Sequence, residues 1–268
     1  KVKAIPQKIK ETEEKYNNLK KEIEETLNKL PNLIHEKVPY GKGDSENVEI
    51  KSWGEKPKFN FKVKNHVELL ENLGVVDFEA SAKSSGNGFY YLKGDFALLN
   101  QALLRFAMDF MRKKRYTYVE VPLMLWKDVL YAATDKESFE QSVYGVEGED
   151  LALIGTSEYG ILAMHKDEVI KELPKKYFSY SMCFRKEIGA HGINEKGLWR
   201  THQFNKVEMF VFCKKEDSWK FYDDMVEISE GLFQALELPY RILEICTGDL
   251  AVWKARSSDF EVWRPTTE

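Results

Sequence analysis

Cys183-Phe184-Arg185-Lys186-Glu187, then a glycine-punctuated stretch to Trp199, then Arg200-Thr201-His202-Gln203-Phe204-Asn205-Lys206-Val207-Glu208 is the part of the sequence on which the fold turns. Tyr177, Phe178, Tyr180 and Met182 lead in, and Val207, Met209, Val211 and Phe212 lead out; these β-rich runs predict two strands joined by a loop. Gly189, Gly192 and Gly197 in the connector permit close backbone approach to a ligand. The ribbon therefore carries Arg185, Glu187, Arg200, Phe204 and Glu208. Guanidinium groups clamp phosphate oxygens in pairs and an aromatic face stacks on a base, so the set suits a nucleotide. Residue type alone leaves a second reading open, because Arg and Glu two positions apart also form solvated cross-strand pairs.

Order and spacing separate the two readings. Phe-Arg-x-Glu, a loop, then Arg-x-x-x-Phe resembles the second signature motif of class II aminoacyl-tRNA synthetases. The fuller string from Phe184 to Glu208 is similar to that of the seryl-tRNA synthetase family, in its archaeal form most of all. Ile154-Gly155-Thr156-Ser157-Glu158 matches that family's Thr-x-Glu. Leu238-Pro239-Tyr240-Arg241, Cys246-Thr247-Gly248-Asp249 and Asp259 to Pro265 match its later landmarks. Leu30-Pro31-Asn32 and Asn47-Val48-Glu49 through Trp53-Gly54 also fit, so the resemblance runs through nearly the whole chain.

Working outward, residues 7–30 are highly charged, yet Ile9, Thr12, Tyr16, Leu19, Ile23, Thr26 and Leu30 fall on a seven-residue pattern, a coiled-coil seam weakened by its two threonines. A lone helix of this length is marginal in water, so the seam calls for a partner. The resemblance makes residues 1–30 part of a tRNA-binding coiled-coil arm. Residues 31–60, with Pro31, Pro39, Gly41, Gly43, Gly54 and Pro57, read as a loop-rich connector. Residues 61–268 would then be a catalytic domain lacking its third motif.

Within it, Asp95 is placed to cap a helix with Leu99, Ala102, Leu103, Phe106, Ala107 and Phe110 on one face. Thr117–Val121 predicts a strand ended by Pro122. By resemblance, this helix–strand–Pro122 unit builds a homodimer interface. Ser218 to Leu236 predicts another amphipathic helix, and Tyr240 to Ile245 a strand. Strands in runs with helices between some of them predict an α+β fold, a mainly antiparallel sheet flanked by helices. No Gly-x-Gly-x-x-Gly and no Walker loop occurs, which argues against a Rossmann or P-loop scaffold.

Composition bounds the partners. A net charge of −4 gives no overall basic signal, so RNA contact has to rest on local patches. Cys183, Cys213 and Cys246 lie far apart with no Cys-x-x-Cys, which predicts reduced thiols and no structural zinc. His165, His191 and His202 have no metal-ligand spacing either. No apolar run approaches the roughly eighteen residues that span a bilayer, and no signal peptide opens the chain, which predicts a cytoplasmic protein with no membrane partner.

The resemblance implies ATP-dependent activation of L-serine through a seryl-adenylate and transfer to tRNA(Ser). It implies Arg185 at the α-phosphate and the seryl carboxylate, Arg200 toward the β/γ end, Phe204 on adenine and Glu187 on the nucleotide. Thr156 and Glu158 would receive the ammonium, and Glu208 the hydroxyl or ammonium. Magnesium ligands are expected beyond Glu268, so an isolated 268-residue chain is expected to be impaired. Two rival readings share the fold: a paralogue that loads an amino acid onto a carrier protein with zinc, and a non-catalytic RNA-binding dimer.

Overall fold

A computed structural model describes residues 4–27, 29–134, 136–187 and 196–267, without the side chains of Glu25, Lys136, Glu137 and Ser138. Gly189, His191 and Gly192 lie outside the described residues. The chain divides into two compact units, residues 1–48 with 244–259, and residues 49–243 with 260–268.

The first unit holds α1 (Ile5–Leu27), which ends four residues short of Pro31. Its seam is open: Ile9, Tyr16, Leu19 and Ile23 are each more than half exposed. The two seam threonines turn inward on their own helix. Thr12 and Thr26 donate to the carbonyls of Lys8 and Glu22 at 2.7 and 2.8 Å, a bond that satisfies the hydroxyl without any partner. The rest of this unit is stitched loop. Asn32 and His35 donate backbone N–H groups to Val252 and Ala255 at 2.7 and 2.9 Å. Arg256 grips Glu244 through two nitrogens at 2.7 and 2.8 Å, burying the carboxylate with its charge paired.

The second unit is built around a hairpin. In chain order the elements after α1 are β1 (Val48–Trp53), α2 (His66–Asn72), β2 (Val76–Asp77), α3 (Phe78–Ser85), β3 (Tyr91–Leu92) and α4 (Gly94–Lys113). Then come β4 (Thr117–Tyr118), β5 (Met124–Trp126), α5 (Lys127–Ala132), α6 (Lys136–Ser142), β6 (Leu151–Leu153) and α7 (Glu158–Ala163). The hairpin itself is β7 (Lys175–Phe184) and β8 (Gln203–Phe212), followed by α8 (Ser218–Ala235), β9 (Tyr240–Glu244) and β10 (Ser258–Val262). β7 and β8 pair antiparallel from Lys175↔Phe212 to Phe184↔Gln203, and β4 joins β7 in parallel. The observed architecture is the expected α+β one, with mixed sheets.

Period-two alternation gives the hairpin two faces. On one, Phe178 is fully buried with Met111 and Tyr116, backed by Phe110, Val207, Met209, Val211 and Ile228 of the strands and of α4 and α8. On the other, Tyr177, Phe210 and Phe212 pack against Val121, Leu130, Ile154 and Ile161. Farther along that second face, Ser179, Ser181 and Cys183 sit opposite Glu208, Lys206 and Phe204.

Several sequence expectations shift. Residues 48–53, assigned to the connector, form β1 in a three-stranded sheet of order β1-β9-β10; Val-Glu-Ile-Lys-Ser-Trp alternates, but glycines and prolines on both sides mask it. Asp95 does not cap α4: Lys93 is the N-cap, Gly94 adopts φ +57°, and Asp95 falls in the first turn. The carboxylate there still complements the helix dipole. α4 buries Leu104 and Met111, while Leu99, Leu103 and Phe106 of its apolar face are exposed. The strand expected over Thr117–Val121 is regular only at Thr117–Tyr118, although Val119 continues the ladder to the Phe178 carbonyl at 2.8 Å.

Candidate active site

The site assembles where the 154–158 turn is bonded to the end of β7. Ile154 donates its N–H to Leu123 at 3.0 Å, and Phe184 donates to Ile154 at 2.9 Å. These bonds bring Gly155 and Thr156 beside the second face of the hairpin. Arg185 Nε donates to the Gly155 carbonyl at 3.2 Å, and its guanidinium carbon lies 5.2 Å from the centre of the Phe204 ring. Such a placement over an aromatic face is itself attractive.

Beside this pair, the buried Thr156 hydroxyl is a hub. It donates to Glu208 Oε2 at 2.8 Å and accepts from Lys206 Nζ at 3.1 Å and from the Glu158 backbone N–H at 3.3 Å. Lys206 is also ion-paired with Glu208. Ser179, Ser181 and Cys183 form a buried floor below. Burial pushes the Cys183 thiol up from its ordinary value, while the neighbouring Lys206 and Arg185 charges pull the other way. Glu158 opens α7 with its side chain exposed. Ser157, at the N-cap, has helical backbone angles, makes no cap bond, and buries an Oγ with no partner.

A second contact set braces the loop ends. Glu187 (φ +52°) pairs with Arg200 at 3.5 Å. His202 accepts the Arg185 N–H on its carbonyl at 3.0 Å, and its Nδ1 lies 3.0 Å from the Arg185 carbonyl and 2.9 Å from the Tyr144 hydroxyl. A Cβ on Gly88 (φ +79°) would come within 2.5 Å of that ring, so this close approach requires glycine. Farther along the loop, the Arg264 guanidinium lies 4.7 Å from the Trp199 ring.

Arg185, Phe204, Thr156 and Glu208 are thus gathered at one place, Glu187 and Arg200 form a separate pair, and Pro122 is exposed beyond β4. Lys206, His202, Tyr144 and Gly88 join these contacts without having been candidate site residues in the sequence. The alternation Phe204-x-Lys206-x-Glu208 was the available signal for Lys206. Asp249 accepts from Asn47 Nδ2 at 2.8 Å, and Glu261 holds Arg241 at 2.6 Å, so both landmarks are hydrogen-bonded within their own units. Among the described residues no three His, Cys, Asp or Glu side chains converge as a metal site, and no helix is long and apolar enough to cross a membrane.

Residues 141–268 match the model of the tRNA synthetase class II core domain (G, H, P, S and T). This match, taken with the relatives and solved structures that follow, places the chain in the class II aminoacyl-tRNA synthetase family. Within that family it groups with the seryl-tRNA synthetases. It is 46% identical to a serine–tRNA ligase of Methanocella arvoryzae over 97% of the chain and 62% of that protein. It superimposes with a TM-score of 0.91 and 41% identity on a seryl-tRNA synthetase from Pyrococcus horikoshii crystallised with ATP, covering 98% of the chain and 64% of that one. A cytoplasmic serine–tRNA ligase from Naegleria fowleri with AMP gives a TM-score of 0.88 and 34% identity, covering 97% and 57%. The chain spans about 62% of the length of the curated relatives it matches.

Proposed function

We propose that the full-length protein carrying this chain activates L-serine with ATP and transfers it to tRNA(Ser), with seryl-adenylate as the intermediate. The observation that carries this reading is the meeting of Arg185 and Phe204 with Thr156 and Glu208 on one face of the hairpin. The serine carboxylate attacks the α-phosphorus and pyrophosphate leaves. The protein's part is positioning and charge stabilisation.

Arg185 bridges the α-phosphate and the seryl carboxylate. Its guanidinium lies over the ring of Phe204, on which adenine would stack, so the phosphate-binding and base-binding groups are neighbours. Glu187 helps hold the nucleotide, and Arg200, tethered to it, faces the β/γ end. Thr156 and Glu158 receive the ammonium, and Glu208 receives serine beside them. A pocket whose polar groups need a hydroxyl strongly rejects an analogue lacking it. ATP chemistry implies Mg2+, but among the described residues no three His, Cys, Asp or Glu side chains converge to hold it.

The exposed Leu99, Leu103 and Phe106 of α4, with Pro122, Leu123 and Met124 beyond it, support a homodimer interface. The open seam of α1 supports its role in a tRNA-binding arm. Such an enzyme works in the cytoplasm. Charging of tRNA(Ser) transcript by the full-length protein with labelled serine tests the reading. Serine-specific charging supports it; charging with another amino acid, or none, overturns it.

A further inference from the structure

We propose that Lys206 determines side-chain specificity, by keeping Glu208 permanently paired so that the pocket takes a neutral hydroxyl and refuses a second ammonium. The proposal rests on the serine reading of the site.

Lys206 and Glu208 stand two residues apart on β8 and project from the same face. The lysine ammonium bonds Thr156 Oγ1 at 3.1 Å and pairs with Glu208, so one cation serves both groups nominated for the amino acid. Ser181 faces Lys206 across the hairpin and offers it no charge. The other charged group shown near Lys206 is Arg185, whose side chain lies along the same face toward Phe204.

Without Lys206, the Glu208 carboxylate would have no paired cation and would attract an ammonium at the side-chain position. With Lys206 in place, Glu208 already has its counter-ion. It keeps a free lone pair for a hydroxyl hydrogen. An amino acid with an ammonium in place of the hydroxyl would be driven against the lysine, and like charges brought together suppress the wrong partner.

The test is ATP–pyrophosphate exchange by the full-length protein with L-serine and with 2,3-diaminopropionate, which carries an ammonium where serine carries its hydroxyl. In K206M the ratio of kcat/KM for serine to that for diaminopropionate should fall by about tenfold or more, while K206R, which keeps the charge, should hold the parent ratio. An unchanged ratio in K206M overturns the proposal. So does a rise in KM for ATP alone, which would move Lys206 to the phosphates. Equal shifts in both variants also overturn it, since charge would not be the determinant. Absence of serine-dependent exchange in the parent protein would instead end the serine reading on which the proposal stands.

Discussion

The β7–β8 hairpin and α1 are both written in clear periodicities, yet they come to opposite ends. The hairpin spends its apolar alternation inside its own unit: Phe178 is fully buried on one face, and Tyr177, Phe210 and Phe212 are packed on the other. The seam of α1 stays open, with Tyr16 at 65% exposure and Leu19 at 58%. Burial of a large side chain contributes roughly 1.5–3 kcal/mol where it occurs, so the hairpin is stabilised by its pattern and α1 is not. The difference separates a scaffold, which positions chemistry, from a surface whose pattern has meaning only with a partner.

Phe178→Ala probes that contrast with the largest expected effect. Emptying a fully buried aromatic site should cost about 3–5 kcal/mol, read as a lowered midpoint in urea unfolding; a loss under about 1 kcal/mol would mean the hairpin core collapses into the gap. Arg185→Ala should leave the fold intact and lower kcat of serine-dependent exchange by about a hundredfold or more, since a preorganised donor to the transition state is removed. Activity within a few-fold of the parent would remove Arg185 from the chemistry. Glu208→Gln should raise KM for serine by roughly ten- to a hundredfold, the worth of a hydrogen bond to a charged group, with a much smaller change in KM for ATP and weaker discrimination against alanine. Unchanged serine kinetics would leave Glu208 structural.

On the other side of the comparison, deleting residues 1–28 should weaken tRNA binding, measured by filter retention across a salt series, and flatten its dependence on salt. Serine-dependent exchange should persist. Loss of exchange as well would place α1 in the catalytic scaffold. Leu19→Ala should be smallest of all, within about 0.5 kcal/mol in unfolding, because an exposed site has little to lose.

The sequence made the hairpin legible because ten-residue strands, aromatic alternation and a glycine loop agree. It made α1 legible through its heptads. Periodicity marks an apolar face but not what covers it, so the pattern alone did not say that Leu99, Leu103 and Phe106 stand exposed. Short elements escaped, since six to eight residues carry too little period. For α2 a signal was there: Asn65 and Glu68 form a capping box, each side chain bonded to the other's backbone N–H at 3.0 Å. Within the site, residue type and spacing nominated Arg185, Phe204 and Glu208, and the family resemblance nominated Thr156. The hub at Thr156 was not legible, because it depends on how the 154–158 turn docks on the strand end, fifty residues from Lys206 in sequence.

The proposed activation of serine is centred on one face of the hairpin. ATP–pyrophosphate exchange by the full-length protein, run with each of the twenty amino acids on the parent and on Arg185→Ala, tests it most directly. The account predicts exchange that depends on serine and falls by about a hundredfold or more in the variant; exchange driven by a different amino acid, or serine-dependent exchange that Arg185→Ala leaves untouched, would contradict it.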